Sequence, residues 1–407
     1  SAARDAATVI SANAESNFAE TTTKTMGSRC CGNDDERMNA TFSATDERMM
    51  ARALALAARG LYTTQPNPRV GCVIADGDTI VGEGWHGRAG EPHAEPIALR
   101  EAGDRARGAT VYVTLEPCAH HGRTPPCADA LIEAGVARVV AATFDPNPKA
   151  GGGLARVHAA RIDIASGLLE DEARALNAGF FSRLERGRPW VRLKIAASLD
   201  GRTALADGES KWITGEAARD DVQRWRARSS AILTGIGTAL ADDPRLSVRL
   251  DADHVAPLRV VLDSSLRTPA GSHVLDGTAP TLIVHATGSE PLDSRFDRVE
   301  LFAVDGGSGQ LDLGAVLAEL ARREVNELQI EAGPILGGAF IAAALVDELL
   351  LYLAPTLLGD TAQPMLRLPA LPALDAAARM TLVEQSTCGP DLRLRLLTGH
   401  PDVHRHR

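Results

Sequence analysis

Cysteine is scarce in this chain, basic charge is in deficit, and long apolar runs are missing. Six cysteines in 407 residues (Cys30, Cys31, Cys72, Cys118, Cys127 and Cys388) are too few for a disulfide framework. They suit a reducing compartment, so the expected location is cytoplasmic. No apolar stretch approaches the ~18 residues of a membrane-spanning helix, and the first residues lack a secretory apolar core. No membrane partner is therefore expected. Lys and Arg number 43 against 53 Asp and Glu, a net charge of -10 that counts against a general nucleic-acid binder. That balance still allows a local arginine-lined pocket for a phosphate. No internal repeat is present, which sets aside repeat architectures.

What is present is ordinary for a soluble globular chain: 44% hydrophobic and 24% charged residues. At roughly 150 residues per domain the length predicts two or three domains, and either half can bury its own core. Residues 1 to about 44, rich in Ser, Thr, Ala and Asn, read as a disordered extension with Met38 as a candidate start. Glu15, Glu20, Asp34, Asp35 and Glu36 count against a transit peptide, which is poor in acids. Asp46 reads as the N-cap of a helix Glu47–Ala58 that Gly60 ends. Val70–Ala75 and Ile80–Trp85 form a predicted hairpin around Asp76-Gly77-Asp78. A helix from His93 to about Glu101, a strand Ala109–Thr114, a helix opening at Cys127 and a strand Val136–Thr143 follow. This alternation implies an α/β layer. Asp145–Gly153 reads as a loop, Leu168 to Ala178 as helical, and Arg186-Gly187-Arg188-Pro189 as the domain boundary. The second α/β domain opens with the strand Val191–Ala196 and later holds the strand Leu328–Glu331 and a helix Ile335–Leu345. The expected domains are 45–188 and 189–400, with 401–407 a tail.

The segment His93-Ala94-Glu95, then Pro117-Cys118 and Cys127, supplies one imidazole and two thiols with a carboxylate close by. Three protein ligands leave a position open on zinc, as catalytic sites do, whereas closed structural sites usually have four. Zinc lowers the pKa of a bound water to roughly 7, and a nearby Glu can shuttle its protons. Zinc-dependent deaminases use this combination, with His, Cys and Cys on the metal and Glu as acid/base. His93, Cys118 and Cys127 are thus the candidate ligands and Glu95 the catalytic residue. Both cysteines precede or open helices, whose N-termini favour thiolates. The bland alternative is a closed zinc knot or two unrelated buried thiols. His120 and His121 read as loop or pocket residues, since three ligands are already in place.

The usual deaminase pattern is Pro-Cys-x-x-Cys. Here eight residues separate Cys118 from Cys127. With that elongated loop the chain resembles the bifunctional deaminase/reductase of riboflavin biosynthesis, from about Asp46 to about Leu397. Lys194-Ile195-Ala196-Ala197-Ser198-Leu199-Asp200-Gly201-Arg202, followed by Gly208-Glu209-Ser210-Lys211-Trp212-Ile213-Thr214, is similar to the reductase half of that family. Thr234-Gly235-Ile236-Gly237-Thr238, Ala241-Asp242-Asp243-Pro244-Arg245-Leu246 and Glu331-Ala332-Gly333-Pro334-Ile335-Leu336-Gly337-Gly338 extend the likeness. The last opens a helix and can present backbone N–H groups to a phosphate. Its spacing is not Gly-x-Gly-x-x-Gly, so it is no Rossmann fingerprint, and by itself it is more often a tight turn.

The resemblance implies a cytidine-deaminase-like α/β/α domain followed by a dihydrofolate-reductase-like α/β domain. It implies Zn2+ and NADPH as cofactors, a small phosphoribosyl pyrimidine as substrate, and a homo-oligomer. It places the cofactor near Ala196, Trp212, Thr238, Asp242, Ser264, Gly333, Gly337 and Gly338. It places substrate against Lys194, Ser210, Arg226, Leu246, Arg249 and Glu331. In the deaminase half, Asn67 and His86 match pocket positions, and Arg123 could pair with a sugar phosphate. Each has a plainer reading: a turn for Asn67, a packed residue for His86, a solvated helix-face charge for Arg226. The expected activity is removal of the pyrimidine 2-amino group and then reduction of ribosyl to ribityl. Two rivals remain: a nucleic-acid or free-base deaminase with an accessory reductase-like domain, and a non-catalytic protein that uses zinc as a clip. A chain with one active and one vestigial half lies between them.

Overall fold

The computed structural model describes residues 41–120, 125–291, 293–307 and 310–399. The expectations for Met38, Cys30, Cys31, His121, Arg123, residues 1–40 and the tail after 400 fall outside them. The described chain divides into two compact units, 41–177 and 178–399. No helix among these residues is long and apolar enough to cross a membrane.

The first unit runs α1 (Ala44–Ala57), β1 (Gly71–Asp76), β2 (Thr79–Trp85), α2 (Ala94–Ala102), β3 (Thr110–Val113), α3 (Cys127–Ala134), β4 (Arg138–Ala141), α4 (Gly153–Ala159), β5 (Asp163–Ser166) and α5 (Glu170–Leu176). Its sheet has the order β2-β1-β3-β4-β5. The hairpin and the β1–β3 pair are antiparallel, while β3, β4 and β5 are parallel. Period-two alternation divides the side chains between two helix layers. Cys72, Ile74, Val111, Val113 and Val139 face α2, α3 and α4. Val73, Ala75, Tyr112 and Val140 face α1 and α5.

Helix α1 starts earlier than predicted. Ser43 is the N-cap and Asp46 the third helical residue, and the two exchange hydrogen bonds as a capping box. Asp46 is buried rather than at the helix mouth, and accepts from Tyr112 Oη at 2.8 Å and Arg138 Nη1 at 2.7 Å. The first helical turn thus begins inside the segment read as disordered.

The second unit holds α6 (Ala178–Arg186), β6 (Trp190–Ser198), β7 (Arg202–Ala204), α7 (Glu216–Arg228), β8 (Ala231–Gly235), α8 (Ile236–Asp242), β9 (Leu258–Leu262), β10 (Thr281–Ala286), β11 (Glu300–Val304), α9 (Leu313–Arg322), β12 (Glu327–Ile330), α10 (Pro334–Ala342), β13 (Glu348–Ala354), β14 (Gln363–Pro364), β15 (Met380–Cys388) and β16 (Asp391–Thr398). The main sheet has the order β11-β10-β9-β8-β12-β6-β13-β16-β15. It is parallel from β11 to β13, and the C-terminal hairpin adds two antiparallel strands. Helix α6 belongs to this unit, ahead of the Arg186–Pro189 segment. The buried Asp347 carboxylate explains this: it accepts from Arg186, Arg188 and the Val191 N–H at 2.7–2.9 Å.

One face of this sheet is charged although covered. Under α7, carboxylates and guanidinium groups alternate across five strands. Glu327 of β12 meets Arg192 of β6, which meets Glu348 of β13, then Arg395 of β16 and Glu384 of β15. The Trp225 ring of α7 lies over four of the cations, with Arg192 at 4.5 Å and Arg395 at 5.2 Å from its centroid.

Candidate functional site

In the first unit, helix α2 carries His93 at its N-cap and Glu95 in its first turn. The helix can lie directly on β2 because the strand offers bare backbone there: a Cβ on Gly84 would sit 2.2 Å from the Ala94 carbonyl. Cys118 follows the C-terminal end of β3, and Cys127 is the first residue of α3. The ligand atoms of His93, Cys118 and Cys127 all lie within 4.8 Å of one another. His93 Nδ1 is 3.3 Å from Cys127 Sγ and 3.7 Å from Cys118 Sγ. Bonds of ~2.0–2.3 Å to a tetrahedral zinc place nitrogen and sulfur ligands about 3.6 Å apart, so the donor set fits that ion.

Electrostatics agree with that fit. A hydrogen bond from the Cys127 thiol, with others from His93 and the Cys127 N–H, pushes Cys118 down to about 4. Cys127 is raised because it donates that proton to Cys118, an arrangement a cation between the sulfurs would replace. The hydrogen bond with Cys118 raises His93. Glu95 is 3% exposed, and burial raises its carboxyl above the ordinary range. An acid/base group tuned upward this way can take and return a proton near neutrality.

Asn67 and His86 are brought together at this site. Asn67 Nδ2 and His86 Nε2 are 3.0 Å apart, His86 Nδ1 is 3.1 Å from the Pro92 carbonyl, and the His86 ring stands edge-on to His93. A carbonyl only accepts, so Nδ1 carries the ring proton and Nε2 accepts from the Asn67 amide. Burial lowers His86, which favours this neutral form. That bond uses one of the two Asn67 amide hydrogens and leaves the carbonyl oxygen outside the pair. His120 is exposed on the loop after Cys118.

In the second unit, register sets Ile330 of β12 beside Leu193 of β6, so Glu331 and Lys194 meet at neighbouring strands. Arg226 of α7 grips Glu331 with Nε and Nη2 at 2.7 Å each, and gives Nη1 to the Ser247 carbonyl at 2.9 Å. Gln329 Nε2 donates to Glu331 at 2.7 Å. Burial would raise Glu331, but Arg226, Lys194 and Gln329 outweigh it and hold the carboxyl down at about 2. Burial lowers Lys194. Glu331 is therefore a fixed carboxylate that accepts hydrogen bonds. Arg226, expected against substrate, is largely spent on Glu331. The Arg249 guanidinium is exposed, with no hydrogen bond or ion pair among the described residues, and Gln223 holds its backbone N–H at 2.9 Å.

This lock carries a pH prediction. A carboxylate whose folded pKa is depressed contributes stability that is complete above its unfolded value and lost as pH falls through the folded one. For Glu331 that window runs from about 4.5 down to about 2 and is worth about 3 kcal/mol. Denaturant titration across this range should show a shallower loss in Glu331→Gln than in the wild type. Equal slopes would mean that the pair adds nothing to acid sensitivity.

Gly333 is the N-cap of α10, with Pro334 behind it and no side chain capping the first turn. The Thr238 hydroxyl lies 4.0 Å from where a Gly333 side chain would begin, so α8 and α10 present one small cradle with open backbone donors. That suits the phosphate of a nucleotide cofactor. Gly337 and Gly338 are buried instead, and a Cβ on Gly338 would strike the Arg367 carbonyl at 2.0 Å. Asp242 pairs with Lys211 at 3.4 Å, and Trp212 is 71% exposed under the Arg219 guanidinium. Ser264 follows β9, half-buried, and Ser210 and Ala196 are also half-buried. Leu246 is buried in the core beneath β8 and β9. Gln329, Gln223 and Glu116 carry no sequence signal: the partners of Gln223 and Glu116 lie on distant segments, and Gln329 matters only because Arg226 brings a counter-charge to its neighbour Glu331.

Known proteins match both halves. Residues 43–143 match the cytidine and deoxycytidylate deaminase zinc-binding region, and residues 189–394 match the RibD C-terminal domain. The riboflavin biosynthesis protein RibD of Escherichia coli is 50% identical over 367 residues, 86% of this chain and 99% of that protein. Its Haemophilus influenzae counterpart is 48% identical over 370 residues, 87% of this chain and 97% of that one. The structure of Acinetobacter baumannii RibD has a TM-score of 0.82 at 44% identity, covering 88% of this chain and 99% of its own. A Thermotoga maritima structure, described as a diaminohydroxyphosphoribosylaminopyrimidine deaminase/5-amino-6-(5-phosphoribosylamino)uracil reductase, has a TM-score of 0.78 at 32% identity, covering 87% and 99%. With a zinc-binding His/Cys/Cys cluster in one unit and a RibD-type, NADPH-using reductase fold in the other, this chain belongs to the RibD family of riboflavin biosynthesis enzymes, deaminase and reductase in one polypeptide.

Proposed function

We propose that the first unit deaminates 2,5-diamino-6-(5-phosphoribosylamino)pyrimidin-4(3H)-one and that the second reduces the ribosyl group of the product to ribityl. The observation that carries the first step is Glu95, buried beside a three-ligand cluster that suits a catalytic zinc. Zinc, when held by His93, Cys118 and Cys127, supplies Lewis-acid activation of water. Glu95 takes the proton of the attacking water and returns it to the departing amine, so that ammonia leaves and oxygen takes its place. Asn67, turned by His86, offers its carbonyl oxygen to a donor on the pyrimidine, and Arg123 is proposed for the sugar phosphate.

In the second unit, NADPH supplies the hydride when bound. Gly333, Thr238 and the first turn of α10 are proposed to hold it, with Ala196, Trp212, Asp242 and Ser264 around it. Arg249 takes the substrate phosphate, while Arg226 and Gln329 keep Glu331 ionised to accept from the ribose hydroxyls. Lys194 and Ser210 complete the substrate side. We further propose a homo-oligomer in the cytoplasm, acting on a small molecule and not on nucleic acid.

Mass spectrometry of the diamino-pyrimidine ribosyl phosphate, incubated with zinc-loaded protein and NADPH, tests both steps. The expected product has exchanged an amine for oxygen and gained two hydrogens. Oxygen exchange alone would leave the reductase assignment without support. An unchanged substrate, with folded protein holding zinc, would sink the substrate assignment.

A further inference from the structure

Glu116 stands two residues before Cys118, is 7% exposed, and has no part in the reaction as derived above. Its carboxylate gathers three backbone donors from the loop before α4 and the first turn of that helix. Oε1 accepts from the N–H groups of Gly152 and Leu154 at 3.1 Å each, and Oε2 from that of Asp145 at 3.2 Å. On the far side of Cys118, the Ala119 N–H donates to the Ala150 carbonyl at 2.9 Å. Between these ties the loop presses on the peptide itself, since a Cβ on Gly153 would lie 1.7 Å from the Pro117 carbonyl oxygen. The loop between β4 and α4 thus grips the chain on both sides of Cys118.

The grip matters because residues 115–119 belong to no helix or strand. Past β3, one ladder-like bond remains, from the Glu116 N–H to the Thr143 carbonyl at 2.9 Å. Apart from the loop, Cys118 is held by the Ala128 N–H on its carbonyl at 3.2 Å and the Cys127 N–H on its sulfur at 3.3 Å. Both contacts come from the element that carries another ligand, so they fix the two cysteines to each other. Among the described residues, the Glu116 clamp and the Ala119–Ala150 bond tie this peptide to the frame beyond α3, together with the Glu116 N–H on the Thr143 carbonyl and Arg156 Nη1 on the Ala119 carbonyl at 3.2 Å.

We infer that Glu116 is a positioning residue of the metal site: it locks the 145–154 loop onto the 117–119 peptide and so sets where the Cys118 sulfur stands. The inference rests on reading His93, Cys118 and Cys127 as a zinc site, and it extends that site to a loop whose residues touch no ligand atom. Outer-shell supports of this kind typically carry 10–100-fold in metal affinity.

The test uses the full chain as wild type, Glu116→Ala, Glu116→Gln and Gly153→Ala. Zinc affinity is measured by competition with a chromogenic chelator, and site geometry by the absorption bands of the cobalt-loaded protein. Glu116→Ala and Gly153→Ala should weaken zinc by about 10–100-fold and shift the cobalt bands. Glu116→Gln, which keeps the acceptor for Gly152 and Leu154 but turns an N–H toward Asp145, should fall between. NADPH-dependent reduction should persist in all of them. Wild-type affinity and bands in both Glu116 variants would overturn the inference. If Glu116→Ala fails to fold, Glu116→Gln decides: shifted bands support the role and unshifted bands refute it. A wild-type chain that takes up neither metal would overturn the zinc reading instead.

Discussion

Glu95→Gln is expected to lose deamination by about 10²–10⁴-fold, the usual contribution of a positioned acid/base group. Zinc should stay near one per chain, because the three donor atoms that meet are those of His93, Cys118 and Cys127. The amide keeps the shape of the buried carboxyl but cannot accept the water proton or hand it on. Reduction of an independently supplied deaminated substrate should be unaffected, since each unit has its own core. Parallel assays of ammonia release, zinc content and NADPH oxidation give the answer. Full deaminase activity in this variant would remove Glu95 from the mechanism, and loss of zinc would recast it as a ligand.

The second large effect concerns stability. Glu348 accepts from Arg192 Nε at 3.0 Å, Arg395 Nε at 2.7 Å and Trp190 Nε1 at 3.1 Å, and is 1% exposed. Its carboxyl is held far below the ordinary range: burial opposes the charge, but Arg192 and Arg395 outweigh it. Arg192 is equally buried, and its Nη1 already has no partner. Glu348→Ala would leave two guanidinium groups in the interior with one fewer counter-charge. Breaking a buried pair from one side costs about 3–5 kcal/mol, so the second unit should unfold at clearly lower denaturant. Arg192→Met combined with Glu348→Leu should recover much of the loss, because the cost lies in the unpaired charge. A single variant within about 0.5 kcal/mol of wild type would show that water reaches the network.

Local features were legible in the sequence, and distant pairings were not. The hairpin around Asp76-Gly77-Asp78, helix α2 opening at His93 and helix α3 opening at Cys127 all formed where periodicity and turn residues put them. The start of α1 was misread because Ser43 and Asp46 are both good caps at capping-box spacing, and pattern alone does not say which ends the helix. The zinc cluster could be read because His-x-Glu and Pro-Cys carry their chemistry in short range. Arg226 and Glu331 are 105 residues apart. No pattern in either segment shows that one neutralises the other, and a helix-face arginine looks the same whether solvated or clamped. Glu116 was hidden for a similar reason: its partners are backbone N–H groups, which every loop possesses.

The charged face beneath α7 also fixes how the last two strands align. Along β16, Arg393 and Arg395 point to the carboxylates, while Leu394 and Leu396 pack on the apolar core of the opposite face. Sliding that strand by one residue would exchange the two sets. Both guanidinium groups would enter a hydrocarbon layer, and leucines would cover Glu348 and Glu384. Apolar pairs alone tolerate small offsets, since one aliphatic contact substitutes for another. Opposite charges do not, so the hairpin that closes this sheet is keyed to a single alignment, like teeth that mesh at only one setting.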